Sequence, residues 1–300
     1  LTVDPTYPQI NTGVLVTDTA GGWHGGWVDY DGDGNLDFGA APNGNLLEPT
    51  RIYHNEGGGV FRKVTTNAIG QTAVRSFTHV WGDYDNDGKL DLFVPNYYNM
   101  NDMLFRNTGN GAFTRITTGH PVIDAASTVT GVWGDYNRDG FLDLFVIAGD
   151  CPGQSDILYQ NNGDGTFRKM TAAEVGPIVG ELAVNDYTVW ADVDNDGWPE
   201  LCRNTAWCGA TGSSTNQVYH LDSQGKFYLM NIGGMKMGTE GYSLITWADY
   251  DNDGFLDGVV GAESGLLGLY RNLAGQGFTN VAASAFLSPI TNCWAWLAVD

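Results

Sequence analysis

Residues 81–94 read Trp81-Gly82-Asp83-Tyr84-Asp85-Asn86-Asp87-Gly88-Lys89-Leu90-Asp91-Leu92-Phe93-Val94, and this stretch decides the fold. A short apolar strand ends in Trp-Gly, a nine-residue acidic loop follows, and a second apolar strand starts on the last carboxylate of the loop. The apolar runs are too short and too close together for helices. The pattern recurs: Gly26-Trp27-Val28, Val132-Trp133-Gly134, Val189-Trp190-Ala191 and Thr246-Trp247-Ala248 each lead into another such loop. The loops begin at Asp29, Asp83, Asp135, Asp192 and Asp249, spaced by 54, 52, 57 and 57 residues. A fixed period of this size marks a repeat architecture, and every other reading is built on it.

Working outward, a second apolar run follows each loop, such as Leu90 to Val94 or Leu142 to Ile147. A third run reads Ile52-Tyr53-His54-Asn55, Leu104-Phe105-Arg106-Asn107, Leu158-Tyr159-Gln160-Asn161 or Leu269-Tyr270-Arg271-Asn272. Asn110-Gly111 and Asp164-Gly165 then supply turn positions that tolerate positive φ, and they lead into Phe113-Thr114-Arg115-Ile116 and Phe167-Arg168-Lys169-Met170. Each unit therefore reads as four antiparallel strands. One unit cannot bury both of its faces, so units must stack, radially as propeller blades or linearly, and radial closure also protects strand edges. The expected fold is all-β: a single β-propeller domain over residues 1–300, of four-stranded antiparallel blades, six or seven in number with seven favoured. Tyr7-Pro8-Gln9-Ile10-Asn11-Thr12 repeats the pattern of Phe61-Arg62-Lys63-Val64-Thr65-Thr66, a fourth strand. Asp300 ends Trp294-Ala295-Trp296-Leu297-Ala298-Val299-Asp300, 51 residues after Asp249, and would open a sixth loop. The sequence is accordingly expected to be part of a longer protein.

Composition agrees. The 42 glycines, 14 tyrosines and 10 tryptophans, with no long helix-forming stretch, point to short strands joined by tight turns and almost no helix. The formal charge of −21 with only 14 Lys and Arg excludes a basic patch for nucleic acid or an anionic membrane. That charge is local: the five loops hold nineteen of the 35 carboxylates, leaving a nearly neutral remainder. No apolar run is long enough to span a membrane. Leu1 follows no charged and apolar leader, so any signal peptide is expected to be absent or removed. Four cysteines, Cys151, Cys202, Cys208 and Cys293, lack zinc-site spacing. Their even number suits an exported protein, with Cys202 bridged to Cys208 around Trp207, or one of them to Cys151, or all four as buried thiols.

The loops carry the chemistry. Positions 1, 3, 5 and 9 are Asp29, Asp31, Asp33 and Asp37; Asp83, Asp85, Asp87 and Asp91; Asp135, Asn137, Asp139 and Asp143; Asp192, Asp194, Asp196 and Glu200; and Asp249, Asp251, Asp253 and Asp257. Oxygen donors at alternating positions suit Ca²⁺, which takes six to eight oxygens at variable angles. Glycine at position 6 permits the sharp turn, and position 7 offers a backbone carbonyl, from Asn35, Lys89, Phe141, Trp198 and Phe255. Four carboxylates this close would repel strongly without a cation. About five calcium ions are expected, one per complete loop. An EF-hand needs a glutamate at position 12 and flanking helices, and Mg²⁺ prefers octahedral geometry with water retained.

The run Trp81 to Val94 together with Leu104-Phe105-Arg106-Asn107 resembles the FG-GAP or VCBS repeats of the integrin α-subunit propeller and of many secreted bacterial proteins. The resemblance covers nearly the whole chain. It implies a propeller whose ions lie in the hairpin between the first two strands of each blade, and it fixes no ligand. The fourth unit departs most, with Pro199-Glu200 in its loop and Leu221-Asp222-Ser223-Gln224-Gly225 in its turn, which predicts a more weakly held ion.

The expected function is a secreted or cell-surface calcium-binding module for a carbohydrate or protein ligand. Alternatives are a self-assembling subunit of a surface filament or envelope layer, binding copies of itself, and a non-catalytic domain of a larger secreted enzyme. No hydrolase, metalloprotease or phosphate-loop motif is present. His54 and His220 read as third-strand residues, and His24, His79 and His120 are scattered, so no catalytic residue is expected. Insertions at Asn96 to Asn101, Gly149 to Gln154 and Thr205 to Asn216 mark loops where a ligand can sit, their aromatics suiting a sugar ring or packing between blades.

Overall fold

Each acidic loop closes a hairpin, and the hairpins build one four-stranded sheet after another. In a computed structural model of the chain, the described residues are 12–18, 22, 24–149, 154–180, 182–183, 185–205, 215–230, 243–262 and 265–281. Among them are five four-stranded antiparallel sheets in which strand order follows the chain. These are β-propeller blades. The first comprises Gly25–Val28, Asp37–Ala40, Arg51–Asn55 and Phe61–Val64, and the second Val80–Gly82, Asp91–Val94, Met103–Gly109 and Ala112–Ile116. The third comprises Thr128–Gly134, Asp143–Ala148, Ile157–Asn161 and Phe167–Lys169. The fourth comprises Asn185–Ala191, Glu200–Thr205, Thr215–Leu221 and Phe227–Leu229, and the fifth Ser243–Ala248, Asp257–Ala262, Gly265–Asn272 and Phe278–Asn280. Among the described residues, helix is confined to single turns at Val14–Thr17, Ala68–Gln71 and Ala172–Val175, and a 3₁₀ turn at Pro177–Val179.

The second strand shows why these runs are continuously apolar. Side chains alternate between faces, and both faces of an inner blade meet a neighbour. Leu92 and Val94 pack with Val28, Ile52 and Val64 of the first blade, whereas Phe93 between them packs with Leu144, Val146 and Tyr159 of the third. The same division puts Phe145, Ile147 and Leu158 against Leu201 and Tyr219, and Val218 against Ile245 and Val260. The core is thus a series of clusters between consecutive blades.

The Trp-Gly pair fixes blade spacing. A methyl group at Gly82 would lie 2.5 Å from the Trp133 ring, and one at Gly134 only 2.4 Å from that of Trp190, so each glycine is the seat for the next blade's tryptophan. Trp27, on the outer face of the first described blade, is 59% exposed.

Asparagine stitches the loop ends together. The Asn107 amide donates to its own Leu90 carbonyl at 3.0 Å and to Tyr30 of the preceding blade at 2.7 Å. Asn161 and Asn272 repeat this toward Tyr84 and Val193, at 2.8 and 2.7 Å.

At the opposite end, the segment after the second strand pairs with the segment entering the next blade: Glu48–Pro49 with Ala73–Val74, Met100–Asn101 with Ala125–Ala126, and Gln154–Ser155 with Leu182–Ala183. These ribbons were not expected, and they revise the reading of the Asn96 to Asn101 insertion. Its backbone is knotted by buried Asp102, which accepts from the Asn96 amide at 2.8 Å, and Tyr97 packs edge-on to Phe77 and Tyr98. Burial pushes the Asp102 carboxyl up to about 8.

Cys202 is a free, buried thiol, and its burial raises its pKa. Cys151, Cys208, Cys293, Trp207, the leading segment to Asn11 and the sixth loop at Asp300 lie outside the described residues. No helix among the described residues is long and apolar enough to cross a membrane.

Candidate metal centres

Each loop is shaped by its own carboxylates before any ion is considered. Asp83 at position 1 accepts from the amides of Asp87 and Gly88, at 3.0 and 2.8 Å, which folds the loop over itself. The same pair of bonds runs to Asp29, Asp135 and Asp249, and Asp192 keeps the bond from Gly197. The turn demands a left-handed residue at position 6, where Gly34, Gly88, Gly140, Gly197 and Gly254 have φ of 87°, 84°, 88°, 84° and 91°. At position 7 the amides of Asn35, Lys89, Phe141, Trp198 and Phe255 all donate to the carboxylate at position 5, at 2.7 to 3.1 Å.

Position 9 is the floor. Asp91 is fully buried; its oxygens accept from the amides of Asn107 and Tyr84, at 2.7 and 3.2 Å. Asp37, Asp143 and Asp257 repeat both bonds. Glu200 keeps one, from Val193 at 2.7 Å, and its extra methylene carries the other oxygen to His220 Nδ1, also at 2.7 Å. Burial, reinforced by neighbouring loop carboxylates, lifts the Asp91, Asp143 and Glu200 carboxyls to about 7 and raises those of Asp37 and Asp257.

The predicted ligands converge in four of the five loops. Ligand atoms of Asp29, Asp31 and Asp33, of Asp83, Asp85 and Asp91, of Asp249, Asp251 and Asp257, and of Asp194, Asp196, Glu200 and His220 each lie within 4.8 Å of one another. The third loop gathers no such trio among Asp135, Asp139 and Asp143, and Asn137 holds its third position. The fourth loop brings together three of its predicted ligands, as many as the others, with the His220 imidazole added.

The residues fit a calcium ion. The loop donors are hard oxygens, and three carboxylate oxygens in the loops, Asp85 Oδ1, Asp192 Oδ1 and Asp251 Oδ1, are buried with no hydrogen-bond donor. A bound cation would satisfy them and offset the repulsion that raises position 9.

Sequence reasoning missed one partner. The third-strand residue at the position of Arg106 reaches over the loop in four blades, as Arg106, Arg271, His54 and His220. Arg106 Nε lies 2.5 Å from Asp85, and Arg271 Nε 2.7 Å from Asp251. His54 Nδ1 is 3.2 Å from both Asp31 and Asp37. The signal was present: loops with Asp at position 3 carry His or Arg on the third strand, and the loop with Asn137 carries neutral Gln160. The remaining histidines stand apart, His79 buried beside Trp81 and His120 paired with Asp124 at 2.6 Å.

Against this geometry, the FG-GAP-like repeat matches residues 29–94, 96–146 and 135–202, more than half of the chain. The chain belongs to the FG-GAP-like repeat family. Cartilage acidic protein 1 of Xenopus tropicalis is 28% identical over 251 residues, which is 77% of this chain but 37% of that protein. Among solved structures, an Agrocybe aegerita lectin, described for its specific recognition of non-reducing terminal N-acetylglucosamine, superposes with a TM-score of 0.58 at 18% identity. The match covers 85% of this FG-GAP chain and 65% of the lectin, and it shows the shared fold.

Proposed function

We propose that this chain is an extracellular calcium-binding propeller that holds a carbohydrate or protein ligand and carries out no catalysis itself. The observation that carries the reading is the repeated hairpin: oxygen donors at four fixed positions, a buried acid at the floor, and buried oxygens lacking donors. A cation bound there ties the first two strands of a blade together and, through the asparagine stitch, to the blade before. Binding energy of this kind is folding energy, since the unfolded chain offers no preformed site. The family, a relative named as an acidic protein of cartilage and a lectin of the same fold support a binding role outside the cell.

Calorimetric titration of the chelated protein with Ca²⁺ tests the metal assignment. Uptake approaching about five ions, with Mg²⁺ unable to compete at equal concentration, is expected from the donor set. Uptake of no ion would refute it.

A further inference from the structure

Departures from the repeat are concentrated at one junction, between the third and fourth blades. At two other junctions an asparagine at loop position 4 donates to the position-6 carbonyl of the next loop, Asn86 to Gly140 at 2.8 Å and Asn195 to Gly254, whereas the first loop has Gly32 at that position. At this junction Arg138 takes that place and stacks on Trp198, 3.9 Å from the ring centre. Where Asn107, Asn161 and Asn272 stitch to the preceding blade, the fourth blade carries Leu221, which has no amide to offer Tyr136. Asn137 replaces aspartate on one side, and the Asp222 to Gly225 turn replaces the usual hairpin on the other.

Beside Leu221 lies a cleft of about 620 Å³, lined among others by Asn137, Trp198, Leu221, Ser223 and Tyr228. That volume falls in the range of small-molecule sites. Tyr228 is 49% exposed, and its ring lies 5.4 Å from that of His220 at an interplanar angle of 61°.

We infer that this cleft is a binding site for a neutral saccharide, the ring of Tyr228 taking the apolar side of a sugar ring and Asn137, Ser223 and the Asp196 rim taking its hydroxyls. The inference rests on the reading of the chain as a binding module and gives it a location. Two carboxylates, Asp196 and Asp222, line the cleft, which disfavours phosphorylated or sulfated ligands. Asp196 belongs to the metal loop and Asp222 caps its own turn through the amides of Gln224 and Lys226, both at 2.8 to 2.9 Å, so neither is a free anion awaiting an organic cation.

The test is titration of the full chain in Ca²⁺ with N-acetylglucosamine, its β-linked trimer and tetramethylammonium chloride, read by tryptophan fluorescence and calorimetry. Tyr228→Ala is expected to weaken trimer binding about tenfold or more, the value of one lost stacking contact. Ser223→Ala, at an exposed rim position, is expected to weaken it about threefold by removing a hydroxyl partner. Equal binding by parent and variants would place the sugar elsewhere and overturn the inference. Tetramethylammonium displacing the trimer, or a panel of neutral hexose and hexosamine oligomers failing to bind, would overturn it too. Calcium uptake measured on the same samples reports on the module reading separately.

Discussion

At the scale of single residues, the metal loops show how one position is asked to do opposite things. The floor carboxylates are buried where a charge is costly, and their neighbours in the loop repel them further. In two blades an arginine supplies a partial remedy by folding over the loop. On the calcium reading proposed above, that guanidinium and the ion would compete for the same carboxylates. Arg106→Gln is therefore expected to raise calcium affinity at the second loop a few-fold, about 1 kcal/mol for a half-exposed pair, and to lower the melting temperature in chelator. Competition against a chromophoric chelator measures the first effect. Weaker calcium binding in the variant would show that the arginine helps to hold the ion.

At the scale of the blade, packing is set by a glycine under a tryptophan. Gly134→Ala places a methyl group 2.4 Å from the Trp190 ring, with no flexible side chain to give way. The expected loss is about 1–3 kcal/mol in the denaturant midpoint, the usual range for overpacking. Gly26→Ala, where the new methyl meets nothing within 4 Å, is the matched control and is expected to be neutral. Equal effects of the two would remove the spacing argument. The blade is also where sequence reading succeeded and failed for identifiable reasons. Strand, loop and turn were legible because their signals are local and repeat five times, so Asp83 to Asp91 could be aligned with its copies without a structure. The two-residue ribbons such as Glu48–Pro49 with Ala73–Val74 were not, because pairs so short carry no period and join distant segments. The reach of Arg106 and His54 over the loop was hidden in the strand register, although the matching of Asn137 with Gln160 gave it away in principle. The aromatics at Tyr97 and Tyr98 could be read as facing a ligand or as packing; Tyr97 packs on Phe77 and Tyr98, while Tyr98 stays 50% exposed with Arg75 lying 5.0 Å over its ring.

At the scale of the whole molecule, the proposed calcium sites would couple stability to charge. Without metal, Asp91 and Asp143 have carboxyls near 7 in the folded chain, against about 4 when unfolded. Between those values the folded state binds more protons, so acidification from about pH 8 to about pH 5 stabilises the metal-free form, and relief of the formal −21 charge acts in the same direction. With calcium bound the same carboxylates are held ionised, the folded pKa is depressed, and stability is lost as pH falls because protons displace the ion. The metal-free protein is thus expected to melt higher at about pH 5 than at about pH 8, and the calcium-loaded protein lower. Parallel trends in the two forms would contradict the coupling.

The most direct test of the account is thermal unfolding of the same preparation in calcium and in excess chelator near neutral pH. Calcium held within the blade hairpins predicts a melting temperature lower by about 10 °C or more in chelator, since several ions are lost from the folded state alone. Superimposable melting curves would mean that the acidic loops fold without an ion and that calcium is no part of this architecture.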